Sequence, residues 1–264
     1  MKNIIRSMTY ELKKTKAIRV TFIVGLLFVL LEGFLNIDPS LDNMPQNTSQ
    51  LVADNGSSNI LIFVFVASIL VGYICSGDFR DKVINYEILS GHSRKQVFIS
   101  RFIPGVLLVA FLITILQFSM MIPGAILYGW GDAVSLKDVI IRTLLAFFPA
   151  VRFSAFIVVI AFIVKSQNIM IGVGYALFEF CGIVEQFGIG KNSYANSIYN
   201  WKLLFDFKGV PAKGVDAADA VVKYTSYTST VHGQMVLWTI LISLIMTAIY
   251  MFVGYSLFRR DDLS

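Results

Sequence analysis

The chain has 264 residues, 56% of them hydrophobic and only 15% charged, with a mean hydropathy of +0.71. A soluble domain carries nearer a quarter charged residues, so this surplus of apolar surface calls for lipid rather than a larger core. The net charge of +5 would raise nucleic acid as a partner in a soluble protein; here the bases cluster at the ends of apolar runs, where positive-inside topology accounts for them and nucleic acid is not needed.

In chain order, residues 1–17 come first. Met1, Ile4, Ile5, Met8 and Leu12 fall at helical spacing with Lys2, Arg6, Lys13, Lys14 and Lys16 around them. That pattern predicts an amphipathic helix on an anionic inner leaflet, with a solvated basic tail as the alternative. No small-x-small cleavage site follows, so the first apolar run reads as a retained span rather than a signal peptide. Six segments then approach the roughly 20 apolar residues that cross a bilayer. They are Ile18–Leu35, Ile60–Ser76, Phe102–Tyr128, Val139–Val164, Ile169–Phe187 and Met235–Phe258. The third is long enough to require tilt or projection. Lys and Arg are about three times denser in segments 1–19, 77–101, 165–168 and 259–264 than in 37–58, 129–142 and 188–234, which places both termini in the cytosol. The expected fold is therefore an all-α integral membrane protein of six transmembrane helices, with an N-terminal interfacial helix and a helical cytosolic loop. It forms a single transmembrane domain over 1–264.

The loop between the second and third spans, residues 77–101, carries the most information. Phe79, Val83, Tyr86 and Leu89 recur at helical spacing, and Asp78 lies one turn before Lys82. Gly91 stands where a helix C-cap glycine belongs, and Ser93 with Gln96 forms a capping box that starts a new helix into the third span. A short helix over 78–90, stiffened by its caps, suits force transmission between the membrane helices and a soluble partner below them. The other reading is a helix lying on lipid headgroups, which Asp78, Asp81 and Glu87 disfavour because anionic lipid repels them.

Over its whole length the chain resembles the type-2 permease family of ATP-binding-cassette (ABC) exporters. The lead-in Tyr10-Glu11-Leu12-Lys13-Lys14-Thr15-Lys16 looks like the family's basic N-terminal helix. Residues 78–101 look like its signature loop, with Asn85, Leu89, the Gly91-His92-Ser93-Arg94 run and a final Arg101. The ending Phe258-Arg259-Arg260-Asp261-Asp262-Leu263 is similar to its closing motif, while Asp81-Lys82 departs from the usual Gly-Thr-like pair. The resemblance implies a non-catalytic permease subunit in a bacterial cytoplasmic membrane, paired with a second copy or a paralogue. Each copy would dock through Phe79, Val83, Asn85, Tyr86, Glu87, Ile88 and Leu89 to a separate ABC ATPase that binds ATP and Mg. Its cargo would be hydrophobic or amphipathic: a peptide, an antibiotic or a lipid. No G-x-x-x-x-G-K-[ST] loop occurs in the chain; the nearest fragment, Gly188-Ile189-Gly190-Lys191, lacks the hydroxyl residue.

Within the predicted spans, Arg152 and Glu179 come within about 3 Å of the same depth when counted from the 165–168 turn, so they are expected either to pair or to line a passage. Pro149 should kink the fourth helix beside them. In segment 188–234, the aromatic stretch Ile198–Phe205 is expected to rest at the outer headgroups or to form an external or re-entrant helix of the kind the resemblance implies. Cys75 and Cys181 lie at depths too different for a disulfide. His92 and His232 fall on opposite sides with no metal-ligand pattern, and no catalytic constellation lies in the spans. A gradient-driven transporter or channel is the competing reading, but it finds few ionisable residues beyond Arg152, Glu179 and Glu185.

Overall fold

The computed structural model describes residues 14–37, 45–56, 60–80, 83–186, 194, 196–211, 224–228 and 231–260. Most of the predicted interfacial helix at 1–17, the Asp81-Lys82 pair and residues 261–264 lie outside the described residues, as does much of 188–234.

The elements are α1 (Lys16–Leu35), α2 (Thr48–Asn55), α3 (Ile60–Val71), a π-helical turn (Gly72–Ser76), α4 (Gly77–Arg80), α5 (Val83–Leu89), α6 (Arg94–Ser119), α7 (Met121–Leu127), α8 (Leu136–Val164), α9 (Gln167–Gln186), α10 (Ser197–Leu204), strands β1 (Lys208–Pro211) and β2 (Tyr224–Thr228), and α11 (Gly233–Arg260). The fold is helical apart from one antiparallel ribbon, β1–β2, within the segment expected to be loop and helix.

Among the described residues, four helical stretches are long and apolar enough to cross a membrane: Lys16–Leu35, Arg94–Leu127, Leu136–Val164 and Gly233–Arg260. The 29 residues of α8 alone span about 43 Å, more than the roughly 30 Å hydrocarbon core. The second expected span is a shorter apolar run, Ile62–Ser76. The fifth is the 20-residue α9.

The outward faces are as apolar as the inward ones. On α1 a buried stripe of Ile18, Gly25, Val29 and Gly33 faces the bundle, while Leu27, Phe28, Leu31 and Phe34 are exposed on the opposite side. On α11, Leu237, Leu244 and Phe252 are likewise exposed. Water would not tolerate this much contiguous apolar surface on a monomer; lipid would. Hydroxyls inside the apolar helices bond to carbonyls of their own helix one turn back: Ser68 to Val64, Thr114 to Ala110, Thr143 to Val139 and Thr247 to Ser243. Each polar group is thus satisfied without water.

Helix α8 is the hub, packing on α6, α11, α10 and α3. The predicted third span runs helically from Arg94 to Leu127, with a lapse in its hydrogen bonding at Met120 between α6 and α7, where the backbone keeps helical angles; Pro123 has no N–H for the Ser119 carbonyl and its ring crowds that carbonyl. α8, by contrast, continues through Pro149 from Leu136 to Val164. Where α1 crosses the α6–α7 junction, a Cβ built on Gly33 meets the Met120 carbonyl well inside contact distance, so the crossing needs a glycine.

Candidate functional site

Two places in this bundle concentrate polar chemistry: the α4–α6 loop at one end, and a short helix held inside the other half.

At the loop end, α5 stops in a Schellman motif. Gly91 N–H donates to the Ile88 carbonyl at 3.0 Å and His92 N–H to the Glu87 carbonyl at 3.2 Å, with Gly91 at φ +95°. Two residues later the Ser93 hydroxyl accepts from Gln96 N–H, and the Gln96 side chain accepts from Ser93 N–H: a complete capping box. Both devices follow from residues a few positions apart, and both stand where the spacing predicts them.

The seven residues expected to dock a partner separate into engaged and outward ones. Phe79 turns inward: its ring lies 5.5 Å from Phe162 and 6.3 Å from Phe258, with Lys165 Nζ 5.6 Å from its centroid. Phe98 completes this cluster, 5.0 Å from Phe162 and 5.8 Å from Phe258, so one aromatic knot joins α4, α6, α8 and α11. Ile88 packs against the core, and Ile84 beside it is fully buried. Glu87 accepts from Arg101 at 2.6 Å, with the Arg101 side chain only 3% exposed. Val83 and Asn85 are half-buried. Tyr86 and Leu89 alone among the seven face fully outward, 68% and 81% exposed. Arg94, three residues past the stop, donates to the Arg259 carbonyl at 2.9 Å. A cation there complements the negative end of α11. The basic residues of this loop therefore brace it: Arg101 to α5 and Arg94 to α11.

In the other half, the aromatic segment forms helix α10, on which Ile198, Asn200, Trp201 and Leu204 are buried against the bundle. Asn196 caps it, its carboxamide oxygen accepting from Ile198 and Tyr199 N–H. Two arginines of α8 fasten its ends. Arg152 Nε donates to Ser197 Oγ at 2.9 Å and Nη1 to the Tyr194 carbonyl at 2.5 Å. Arg142 Nη1 donates to the Leu204 carbonyl at 2.6 Å, Nε to Asp138 at 3.0 Å, and the guanidinium sits 4.5 Å from the Phe207 ring centroid. Arg142 and Arg152 are ten residues apart, about 15 Å along α8, against about 12 Å for the eight residues of α10. The match lays α10 antiparallel to α8, its N-terminus near the middle of that helix and its C-terminus toward the end. Helix α10 thus lies alongside α8 within the bundle, followed by β1. Thr239 Oγ1 donating to Asn200 Oδ1 at 3.1 Å, and Trp201 packed edge-on 5.5 Å from Phe63, hold its inner faces to α11 and α3.

The expected Arg152–Glu179 pair does not form. Arg152 is wholly buried and committed to α10, whereas Glu179 is exposed on α9 with the Tyr175 phenol beside it one turn earlier. The reason is lateral rather than vertical. α9 packs chiefly on α3 and touches α8 only lightly, so equal depth does not bring the two charges together. Arg142, Asn200 and Trp201 were not singled out from sequence. Asn196-Ser197 ahead of an amphipathic aromatic run marks the start of α10, but nothing local reveals that it is buried. Cys75 is a buried free thiol in the π-helical turn, and no group of His, Cys, Asp or Glu suited to a metal ion occurs among the described residues. Compared with protein-family models and with curated proteins, the chain matches none.

Proposed function

We propose that the chain is the membrane-spanning subunit of an ABC-type exporter in a bacterial cytoplasmic membrane. It has six spans and cytosolic termini, works as a dimer, and moves a hydrophobic or amphipathic substrate. In this reading ATP and Mg belong to a separate ATPase, which docks on α5. Helix α10 closes the passage on the external side.

The observation that carries the proposal is the construction of α5. Its inner face is tied to the bundle by Ile84, Ile88 and the Glu87–Arg101 bridge, while Tyr86 and Leu89, one turn apart, present an apolar pair to the surroundings. A seven-residue helix does not hold itself together in water. This one is stopped by a glycine, followed at once by a capping box, bridged to α6 by Glu87–Arg101, and preceded by α4, whose Phe79 packs on Phe162 of α8 and Phe258 of α11. A push on Tyr86 and Leu89 therefore reaches α6, α8 and α11 together. A helix resting on headgroups would need none of this bracing.

The test is co-expression with a candidate ABC ATPase, followed by co-purification of wild type and of Y86S/L89S. Both side chains are exposed in the chain alone, so the double variant should reach the membrane in normal yield and lose the ATPase. Full retention of the ATPase would refute docking at α5.

A further inference from the structure

On and around α10, four buried side-chain atoms have no hydrogen-bond partner among the described residues: Arg152 Nη2, Asn200 Nδ2, Trp201 Nε1 (on the side facing Phe63 of α3) and Ser243 Oγ. The first three are donors only, and the fourth can donate. Asn200 and Trp201 lie one turn along α10 from Ser197, and Ser243 one turn along α11 from Thr239, the partner of Asn200. The two groups that do satisfy Arg152, a carbonyl and a hydroxyl, are neutral. The junction of α10 with the bundle is thus rich in donors, with the Tyr250 phenol of α11 near Arg152, and among the described residues the buried guanidinium has no carboxylate hydrogen-bonded to it. Such a charge is costly within lipid-embedded helices unless something compensates it.

We propose that Arg152 is the receptor for a carboxylate borne on an apolar body, which it takes in exchange for the Tyr194 carbonyl and the Ser197 hydroxyl. One negative charge balances one guanidinium, and two carboxylate oxygens offer about four lone-pair directions to these donors, two of them to a forked guanidinium. A dianionic phosphate would leave excess negative charge buried. The adjoining cavity, walled by Phe63, Ile113, Phe153, Ile198 and Trp201, suits the apolar part of such a molecule. At ≈ 20 Å³ it holds about one water, so a carboxylate enters only as the N-terminal end of α10 lets go. Arg142 and Thr239 still hold Leu204 and Asn200. α10 would then swing about its C-terminal end, and ligand exchange at Arg152 would be the act that unlatches it.

This rests on the exporter reading, which it deepens by naming the head group of the cargo, yet its test uses no ATPase and so fails or succeeds separately. The purified chain in nanodiscs is titrated with dodecanoate, dodecanol and dodecyl phosphate, each below its micellar concentration, while thermal stability is followed. Dodecanoate should raise the Tm of wild type at a concentration about tenfold or more below dodecanol, the equivalent of one charge-assisted contact. R152Q should respond to the two alike. Should R152Q fail to fold, R152K serves: it keeps the charge but not the fork, and should retain the preference for dodecanoate in weakened form. Equal responses of wild type to dodecanoate and dodecanol, or an undiminished preference in R152Q or R152K, would overturn the proposal. A stronger response to dodecyl phosphate than to dodecanoate would overturn the carboxylate assignment.

Discussion

Two glycines bracket the docking loop, and replacing each by alanine separates backbone conformation from packing. A Cβ built on Gly91 meets nothing within 4 Å, and the same is true of Gly77. Neither substitution creates a clash, so any difference arises from the main chain. Gly77 has φ −58° and ψ −42°, ordinary helix, where alanine is favoured over glycine by up to about 1 kcal/mol. Gly91 sits at φ +95°, in the left-handed half of conformational space that costs an L-residue about 1–2 kcal/mol. G91A should therefore weaken the stop of α5, and with it the two Schellman bonds to Glu87 and Ile88. G77A should be neutral or mildly stabilising. A loss of 1–2 kcal/mol corresponds to about a five- to thirtyfold change in an equilibrium constant. Hydrogen exchange at the amides of 83–89 should thus accelerate by that factor in G91A and not in G77A. On the exporter reading proposed above, affinity for the ATPase should fall in parallel, because a frayed α5 no longer holds Tyr86 and Leu89 one turn apart. Indistinguishable exchange in the two variants would show that the stop is not set by this glycine, and the stiff-lever reasoning would fail.

Other outcomes follow from the same geometry. G33A should cost about 1–3 kcal/mol, because the obstacle is the Met120 main-chain carbonyl, whereas G25A, facing the Val66 and Leu116 side chains, should cost less; the thermal stability of the two in detergent tests the order, and a reversal would refute the crossing. W201A should destabilise by about 3–5 kcal/mol, as expected for a large buried aromatic, and should expose a cysteine placed at Ser197 to alkylation; protection equal to that in the Trp201 background would show that α10 is not seated by its tryptophan. Since Arg152 and Glu179 are not partners, R152A and E179A should be additive in stability to within about 0.5 kcal/mol. A double variant markedly more stable than that sum would restore the charge pair.

Some of this molecule is written locally. The capping box at Ser93 and Gln96 and the glycine stop at Gly91 are short-range features, fixed by residues within five positions of one another, and they are readable because no distant contact has to be known. The same holds for the apolar lengths of α1, α6, α8 and α11, since a bilayer's thickness imposes them on the chain directly. The lapse at Pro123 is local too, yet it was hidden inside a run whose apolar character is continuous.

The partners of the buried charges and the seat of α10 were decided only by tertiary structure. Counting residues from a turn gives depth along the membrane normal but says nothing of which helix lies alongside, and α9 settles on α3 rather than α8. An amphipathic aromatic helix reads the same whether its apolar face meets lipid or protein. What distinguishes the two is the pair of arginines ten residues apart on another helix, which supply hydrogen-bond donors that lipid tails lack. The aromatic knot of Phe79, Phe98, Phe162 and Phe258 likewise draws on four elements scattered along the chain, so each phenylalanine looks in sequence like ordinary membrane filling until the fold brings them together.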